Sequence, residues 1–425
     1  MNGTSPMAEE HRRLRVLVLD EEVPLPLDSG KRIRTWNLLK RVARHHEITL
    51  ACYAPADDSR MRQLEGAGIR LCPVRPLRVP SQPELYAKLL ANLFSRAPYS
   101  VSKHQTRRFR QAVEALVRAH HFDIVHCEWT PYGMYRDAAG GRPSFLSTHN
   151  VESDIWYRRA ECAKNILARG FYWLQAVKME RFERRLLPGY GGVAAVSALD
   201  AARFEDWGAP VCSVICNGVD EAAFIPRPEV PRDIELLFVG SLDWAPNTDA
   251  VALLVDGIFP RVRQAVPQAR LRIVGRRPSA ELRRRLAAQP NVELVADAAD
   301  VRPHLAAAIV FVVPLRIGGG TRIKILEALA MSTPVVSTSV GAEGLQLPAG
   351  EAISLAETPA EFATEVVALL QNEPRRTQQA RRGREIVMSR YTWSESAARL
   401  EAAWQTLAQR SGECTADLLA ESHRQ

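Results

Sequence analysis

Between Pro314 and Ala330 the chain reads PLRIGGGTRIKILEALA: an apolar strand end, three consecutive glycines (Gly318, Gly319, Gly320), and the start of an apolar-periodic helix. Adjacent glycines permit close backbone approach that a side chain would forbid, and a helix start leaves N–H groups without intrahelical partners, so the spacing makes a receptor for an anion. Arg322 and Lys324 fall in the predicted first turn, where the helix dipole disfavours each cation by about 0.3–1 kcal/mol. A pyrophosphate docked on Gly319, Gly320 and Thr321 would reverse the sign of both penalties. Thr321, Lys324 and Glu327 recur every three residues as one polar stripe, while Ile325, Leu326 and Leu329 turn to the core. Glu327 then falls at the depth of a ribose, whose cis-diol a carboxylate binds through both oxygens. Lys324 is also the only lysine after Lys178, in a region that otherwise uses arginine. The ordinary alternative, a solvated Lys324–Glu327 pair worth about 0.2–0.5 kcal/mol, explains neither the triple glycine nor the cation-bearing turn.

The elements that must position this segment alternate along the chain. Leu14–Asp20, Ile48–Tyr53, Ile69–Pro73, Asp123–Glu128, Ser144–Thr148, Val193–Val196 and Val211–Cys216 have the composition of buried strands, with helical periodicity between them. Ser153–Leu187 is predicted as one long charged helix, ended by Pro188 and Gly189. Asn217, Gly218 and Asp220 supply a turn, and Pro226, Pro228 and Pro231 a stiff linker. A second series opens at Ile234–Val239 and runs through strands at Arg270–Val274, Val292–Val295, Ile309–Pro314 and Pro334–Ser337. The prediction is α/β: two Rossmann-like, doubly wound parallel-sheet domains facing a cleft, at 14–216 and 233–390, joined by a linker at 217–232. A bracing helix follows at 391–410, then a weakly ordered tail at 411–425. Ligands of such sheets bind beyond the carboxyl ends of the strands, here in the cleft.

Composition narrows the classes. At 425 residues, 46% hydrophobic and 24% charged, the chain is an ordinary globular protein with room for two cores. No apolar stretch approaches the roughly 20 residues of a membrane-spanning helix, and no secretory leader is read at the start, so a cytoplasmic protein is expected. Seven cysteines are scattered without paired spacing, and ten histidines show no ligand-like pattern, so neither disulfides nor a metal is expected. The net charge of +8 rests on dispersed arginines not interleaved with aromatic residues, which argues against nucleic acid. GxGxxG is absent after the first strand, and GxxxxGK[ST] is absent throughout.

The 314–330 segment, continued by Val335-Val336-Ser337-Thr338 and Gly341-Ala342-Glu343-Gly344, resembles the signature of glycosyltransferase family 4 and its relatives of GT-B fold. Asp123-Ile124-Val125-His126, Thr148-His149-Asn150-Val151-Glu152, Asn217-Gly218-Val219-Asp220 and Phe238-Val239-Gly240-Ser241 agree with it along most of the chain. The nearest look-alikes are sugar transferases of bacterial exopolysaccharide clusters. The resemblance implies that Glu327 holds the donor ribose and that Gly318 to Thr321, with Arg322 and Lys324, hold the diphosphate. It implies that Gly30 approaches the same phosphates from the other domain and that His149 stands beside the transferred sugar. Two departures matter. The first of the family's two glutamates would fall at Gly319, and the arginine and lysine that many relatives carry after the first strand of the second domain are replaced by Ser241 and Pro246. Arg322 and Lys324 are expected to take over stabilisation of the leaving group, with Arg316 and Arg276 in reserve.

The expected activity is therefore retaining, metal-independent and cofactor-free transfer of a sugar from a nucleotide sugar to a carbohydrate or lipid-linked acceptor. The rivals are a sugar-nucleotide epimerase of the same fold and a non-catalytic sugar-nucleotide binding protein. Basic segments at Lys88–Arg96 and Lys103–Arg118 are either solvated faces or a contact with the anionic inner face of a membrane.

Overall fold

A computed structural model describes residues 12–422 apart from 77, 164, 211 and 318–320. In the first half, strands β1 (Arg15–Glu22), β2 (Glu47–Tyr53), β3 (Ile69–Val74), β4 (Ile124–Glu128), β5 (Ser144–Ser147), β6 (Gly192–Ala195) and β7 (Cys212–Val214) form one sheet in the order β3-β2-β1-β4-β5-β6-β7. The pairs are parallel, as in Val16 opposite Ile48 on one side and Ile124 on the other. In the second half β8 (Ile234–Val239), β9 (Leu271–Gly275), β10 (Val292–Ala296), β11 (Ala308–Val313), β12 (Val335–Ser337) and β13 (Ser354–Leu355) form a parallel sheet in the order β10-β9-β8-β11-β12-β13. Central strands such as β4 and β11 are buried on both faces, which is why they read as continuous apolar runs. Each order reverses at its first strand, so a crevice opens beyond the carboxyl ends of β1 and β4 and another beyond β8 and β11.

The helices that carry the argument are α1 (Gly30–Val42), α2 (Gln82–Leu93), α3 (Arg107–Ala119), α4 (Glu152–Cys162), α5 (Ile166–Leu186), α6 (Ile323–Ala330), α7 (Glu373–Arg390) and α8 (Trp393–Ser422). The single helix predicted over Ser153–Leu187 is two. Ala163 takes an extended conformation, and the Asn165 side chain accepts hydrogen bonds from the N–H groups of Leu167 and Ala168, capping a new helix. At the other end, α8 continues to Ser422, beyond the point where the pattern weakens; after Gly412 neither glycine nor proline interrupts it.

One core fills the second half, and two cores cover the faces of the first sheet. Trp393, Leu400, Trp404 and Leu407 of α8 belong to the first half's core beside Trp36 and Leu39 of α1, so the chain returns to brace the half it began with. The two crossings are stitched together: the N–H of Val219 donates to Tyr391 and that of Trp393 to Val219, at 2.8 and 3.1 Å. Gly218 is required at that point, because a Cβ would lie 2.6 Å from the Thr392 carbonyl carbon.

Candidate functional site

At the second crevice, α6 begins later than the pattern predicts. Arg322 is the cap, with extended backbone, and only Lys324 lies in the first turn. Lys324 Nζ donates to Asn247 Oδ1 at 3.1 Å and stands 4.6 Å from the centre of the Phe238 ring. Asn247 is held in turn, donating to the Ser241 carbonyl at 2.9 Å. Among the described residues no carboxylate lies within ion-pair distance of Lys324, so the solvated Lys324–Glu327 pair does not form. Burial lowers the Lys324 ammonium to about 7, with the Arg322 charge adding to the effect. Burial likewise raises Glu327 to about 7 and lowers Arg322 to about 10. Thr321 is buried, and its hydroxyl and carbonyl oxygens accept from Asn217 Nδ2 at 2.9 and 3.2 Å, which leaves the hydroxyl proton to donate. Gly318, Gly319 and Gly320 lie outside the described residues.

The first crevice is built from hydrogen-bonded ionisable groups. Trp404 Nε1 donates to His126 Nδ1 at 3.1 Å, and an indole N–H can only donate, so the His126 proton resides on Nε2. That nitrogen donates to Glu128 Oε2 at 2.8 Å, while Glu128 Oε1 accepts from His149 Nε2 at 2.6 Å and from Thr35 at 3.3 Å. Burial opposes the Glu128 charge, yet the two imidazole hydrogen bonds hold its carboxyl well below the usual range. Burial depresses His149, and the Glu128 hydrogen bond only partly offsets it, so at neutral pH the ring is neutral with Nδ1 carrying the lone pair.

Beside this chain, Lys31 Nζ lies 2.6 Å from Asp20 and 3.0 Å from Glu21, and 4.8 Å from the centre of the Trp129 ring. Burial raises Asp20 to about 7 despite Lys31. Trp129, directly after β4, takes φ 81°, a conformation that a bulky side chain adopts only when its surroundings enforce it. Here its indole N–H donates to Glu152 at 2.8 Å. Arg34 is fully buried. Its Nη1 reaches the Cys216 carbonyl and Asn217 Oδ1 at 3.2 and 3.1 Å, and its Nε and Nη2 have no hydrogen-bond partner among the described residues.

The halves meet at these two sites. A Cβ on Gly30, the first residue of α1, would lie 3.8 Å from the Ile323 side chain at the start of α6, so the two helix starts face each other. Asn217 joins Arg34 to Thr321 across the boundary. Arg158 pairs with both oxygens of Glu343 at 2.6 and 2.5 Å, and Arg276 with Asp28 at 2.7 Å. Gly344, at φ 78°, fits where a Cβ would come within 2.9 Å of Thr321 and 3.1 Å of Ser197.

Of the residues expected to act, Lys324, Arg322, Thr321 and Glu327 share the start of α6 and Gly30 faces it; His149 belongs to the separate Glu128 group, on which the Arg34 charge acts while Arg34 itself hydrogen-bonds to Asn217. Arg276 lies where the substituted Ser241 stands, its Nε 2.8 Å from the Ser241 hydroxyl. Arg316 is half exposed and held by Asp249 at 3.0 and 2.5 Å. Reasoning from motifs missed Glu128, Arg34, Asn247 and the Arg158–Glu343 pair. Glu128 ends a strand, a position that faces the crevice by rule, and was findable. The others depend on contacts between distant segments.

A family model described as "Glycosyl transferases group 1" matches residues 233–372, and one described as "Glycosyl transferase 4-like domain" matches residues 29–218. The chain belongs to the group 1 glycosyltransferases, and its fold is GT-B. Among solved structures, sucrose-phosphate synthase from Thermosynechococcus elongatus is similar at 17% identity and TM-score 0.68, covering 96% of this chain and 100% of that one. HepE of Anabaena, solved in complex with UDP-glucose, is similar at 15% identity and TM-score 0.65, covering 94% and 100%. The structure named TarM is similar at 11% identity and TM-score 0.67, covering 94% and 100%. These likenesses concern the fold. A search of curated protein sequences finds no match. Among the described residues no helix is long and apolar enough to cross a membrane.

Proposed function

We propose that this glycosyltransferase transfers a hexosyl unit from a nucleotide-diphosphate sugar to a carbohydrate or lipid-linked acceptor in polysaccharide or glycolipid biosynthesis, with retention at the anomeric carbon. The observation that carries the reading is Lys324: a cation in the first turn of α6, where the dipole opposes it and burial has lowered it to about 7, with no carboxylate within ion-pair distance among the described residues. A diphosphate supplies the missing negative charge and benefits from the same helix start. Lys324 and Arg322 hold the diphosphate with Gly318, Gly319, Gly320 and Thr321, and Glu327 accepts from the ribose hydroxyls. Gly30 and the unpaired donors of Arg34 reach the phosphates from the first half. His149, fixed by Glu128, offers Nδ1 to a hydroxyl of the transferred sugar.

In the transfer, the bond between the anomeric carbon and the phosphate oxygen breaks as the acceptor oxygen forms its bond on the same face. The acceptor proton passes to the departing diphosphate oxygen, so no separate base is needed. The charge developing on the leaving group is met by Lys324, Arg322 and the helix start, which requires no metal and no cofactor beyond the donor.

The test is a screen of nucleotide sugars for release of nucleoside diphosphate by the full chain, with and without candidate glycan acceptors and with a chelator present. Release that depends on an acceptor, survives chelation and yields a product of retained configuration is expected. Interconversion of the donor sugar without release would point to an epimerase, and binding without turnover on every acceptor to an idle binding protein. Either result overturns the reading.

A further inference from the structure

The amphipathic helix α3, whose charge suggested a membrane contact, turns Phe109, Val113 and Val117 into the core, so its cations form an ordinary solvated face. Helix α2 is built differently. Its inner side is held by polar groups: Asn92 accepts from Gln175 Nε2 at 2.9 Å, and Lys178 Nζ caps the helix end through the Asn92 and Leu93 carbonyls at 2.6 and 3.1 Å. Its outer side is apolar. Tyr86, Leu90, Leu93 and Phe94, at i, i+4, i+7 and i+8, are 63, 63, 37 and 92% exposed. Helix α5, which holds α2 in place, begins with Ile166 and Leu167 at 82 and 81% exposure. Residues 75–96 carry the cations Arg75, Arg78, Lys88 and Arg96, all exposed, against the single carboxylate Glu84. That carboxylate is occupied by the Ser81 N–H and Arg78.

We propose that the outer face of α2, together with the start of α5, seats the protein on an anionic phospholipid surface, Leu90, Leu93 and Phe94 entering the acyl boundary while Lys88 and Arg96 meet the headgroups. Charge selects this occupant: a second copy docked face to face would set the same cations against one another. The inference goes beyond the donor site and stands independently of it, because its readout is binding.

The full chain is floated with vesicles of phosphatidylglycerol and phosphatidylethanolamine, and separately with phosphatidylcholine vesicles, at low and high salt. Binding to the anionic vesicles at low salt is expected, at least about tenfold weaker on phosphatidylcholine or at high salt. The Leu90→Glu/Phe94→Glu double variant, altered only at exposed positions, should lose about tenfold or more while retaining its melting temperature and donor turnover. Lys88→Glu/Arg96→Glu, which leaves the apolar face intact, should lose the salt dependence together with the binding. The proposal is overturned if the parent fails to float with anionic vesicles at low salt, or if the apolar double variant floats as well as the parent. A parent dimer that the double variant converts to monomers would assign the face to a second copy and also overturn it.

Discussion

Both crevices contain buried ionisable groups, and they treat them differently. Beyond β1 and β4 the charges are mostly paired, Glu128 between His126 and His149 and Lys31 between Asp20 and Glu21, with Arg34 the exception. Beyond β11 desolvation outweighs the charges nearby: Lys324 and Glu327 act on each other without an ion pair between them, and burial moves both of them and Arg322 toward neutrality. Closed networks hold a geometry fixed before any ligand arrives, whereas a buried cation without an ion pair gains from a ligand that brings the negative charge. The first half is thus organised to position, and the second to bind.

The largest effect should follow from removing the unmet charge. Lys324→Ala loses one charge-assisted phosphate contact, about 1.5–3 kcal/mol, so kcat/KM for the donor should fall about ten- to a hundredfold. Its melting temperature should not fall, because a buried cation with no carboxylate partner contributes little to folding. Stopped-turnover kinetics and a thermal scan check both halves of the statement. Near-parental rates, or a large loss of stability, would mean that Lys324 is structural and would erase the contrast.

A second effect is protonic. Lys324 is held at about 7 in the free protein against an ordinary 10.5, so between those values the folded chain carries it largely neutral. A docked diphosphate favours the ammonium. Binding should therefore take up a proton above pH 7, by as much as about one, and affinity should weaken as pH rises through that window. Glu327, raised to about 7, works in the other direction: ribose hydrogen bonding favours its carboxylate, so binding below pH 7 should release a proton. Calorimetry with an intact nucleotide sugar, in buffers of different ionisation enthalpy, reads both signs. Lys324→Met should abolish the alkaline uptake and spare the acid release.

A smaller effect tests whether α1 serves the ligand or the fold. A methyl on Gly30 would meet only Ile323, at the ordinary contact distance of 3.8 Å, so neighbouring protein does not demand glycine there. Gly30→Ala should fold as well as the parent, since alanine is the better helix former. It should raise the donor KM by a few-fold if a phosphate approaches that backbone. An unchanged KM would remove Gly30 from the site.

The legible part of this molecule was local. Alternating periodicity placed every strand but the two-residue β13 within a residue or two, because strands buried on both faces must be apolar throughout, and the triple glycine with its following cations marked the approach to α6 but set its start too early. Contacts made by return of the chain were not legible. Nothing in the spacing of Trp404, His126 and Glu128 says that a helix near the end of the chain will cross back to fix a tautomer at the first crevice. Arg158 and Glu343 are likewise separated by most of the fold. The split between α4 and α5 was missed because a side-chain cap at Asn165 outweighed a continuous helical pattern.

The smallest effect sharpens the comparison from the positioning side. Trp404→Phe keeps an aromatic ring in the buried site of α8 and deletes the N–H that donates to His126. His126 Nδ1 then loses the only donor recorded for it among the described residues, at a cost of about 1 kcal/mol. Its proton is no longer confined to Nε2, so the hydrogen bond to Glu128 weakens, and with it the restraint on His149. Turnover should fall only about two- to threefold, with donor KM unchanged, because the diphosphate site is untouched. Nitrogen-15 NMR of the histidines should show a mixture of tautomers at His126 in the variant, where the parent shows one. A variant that retained the single tautomer while losing activity would mean that α8 acts through packing and that the Glu128 chain does not set the geometry of His149.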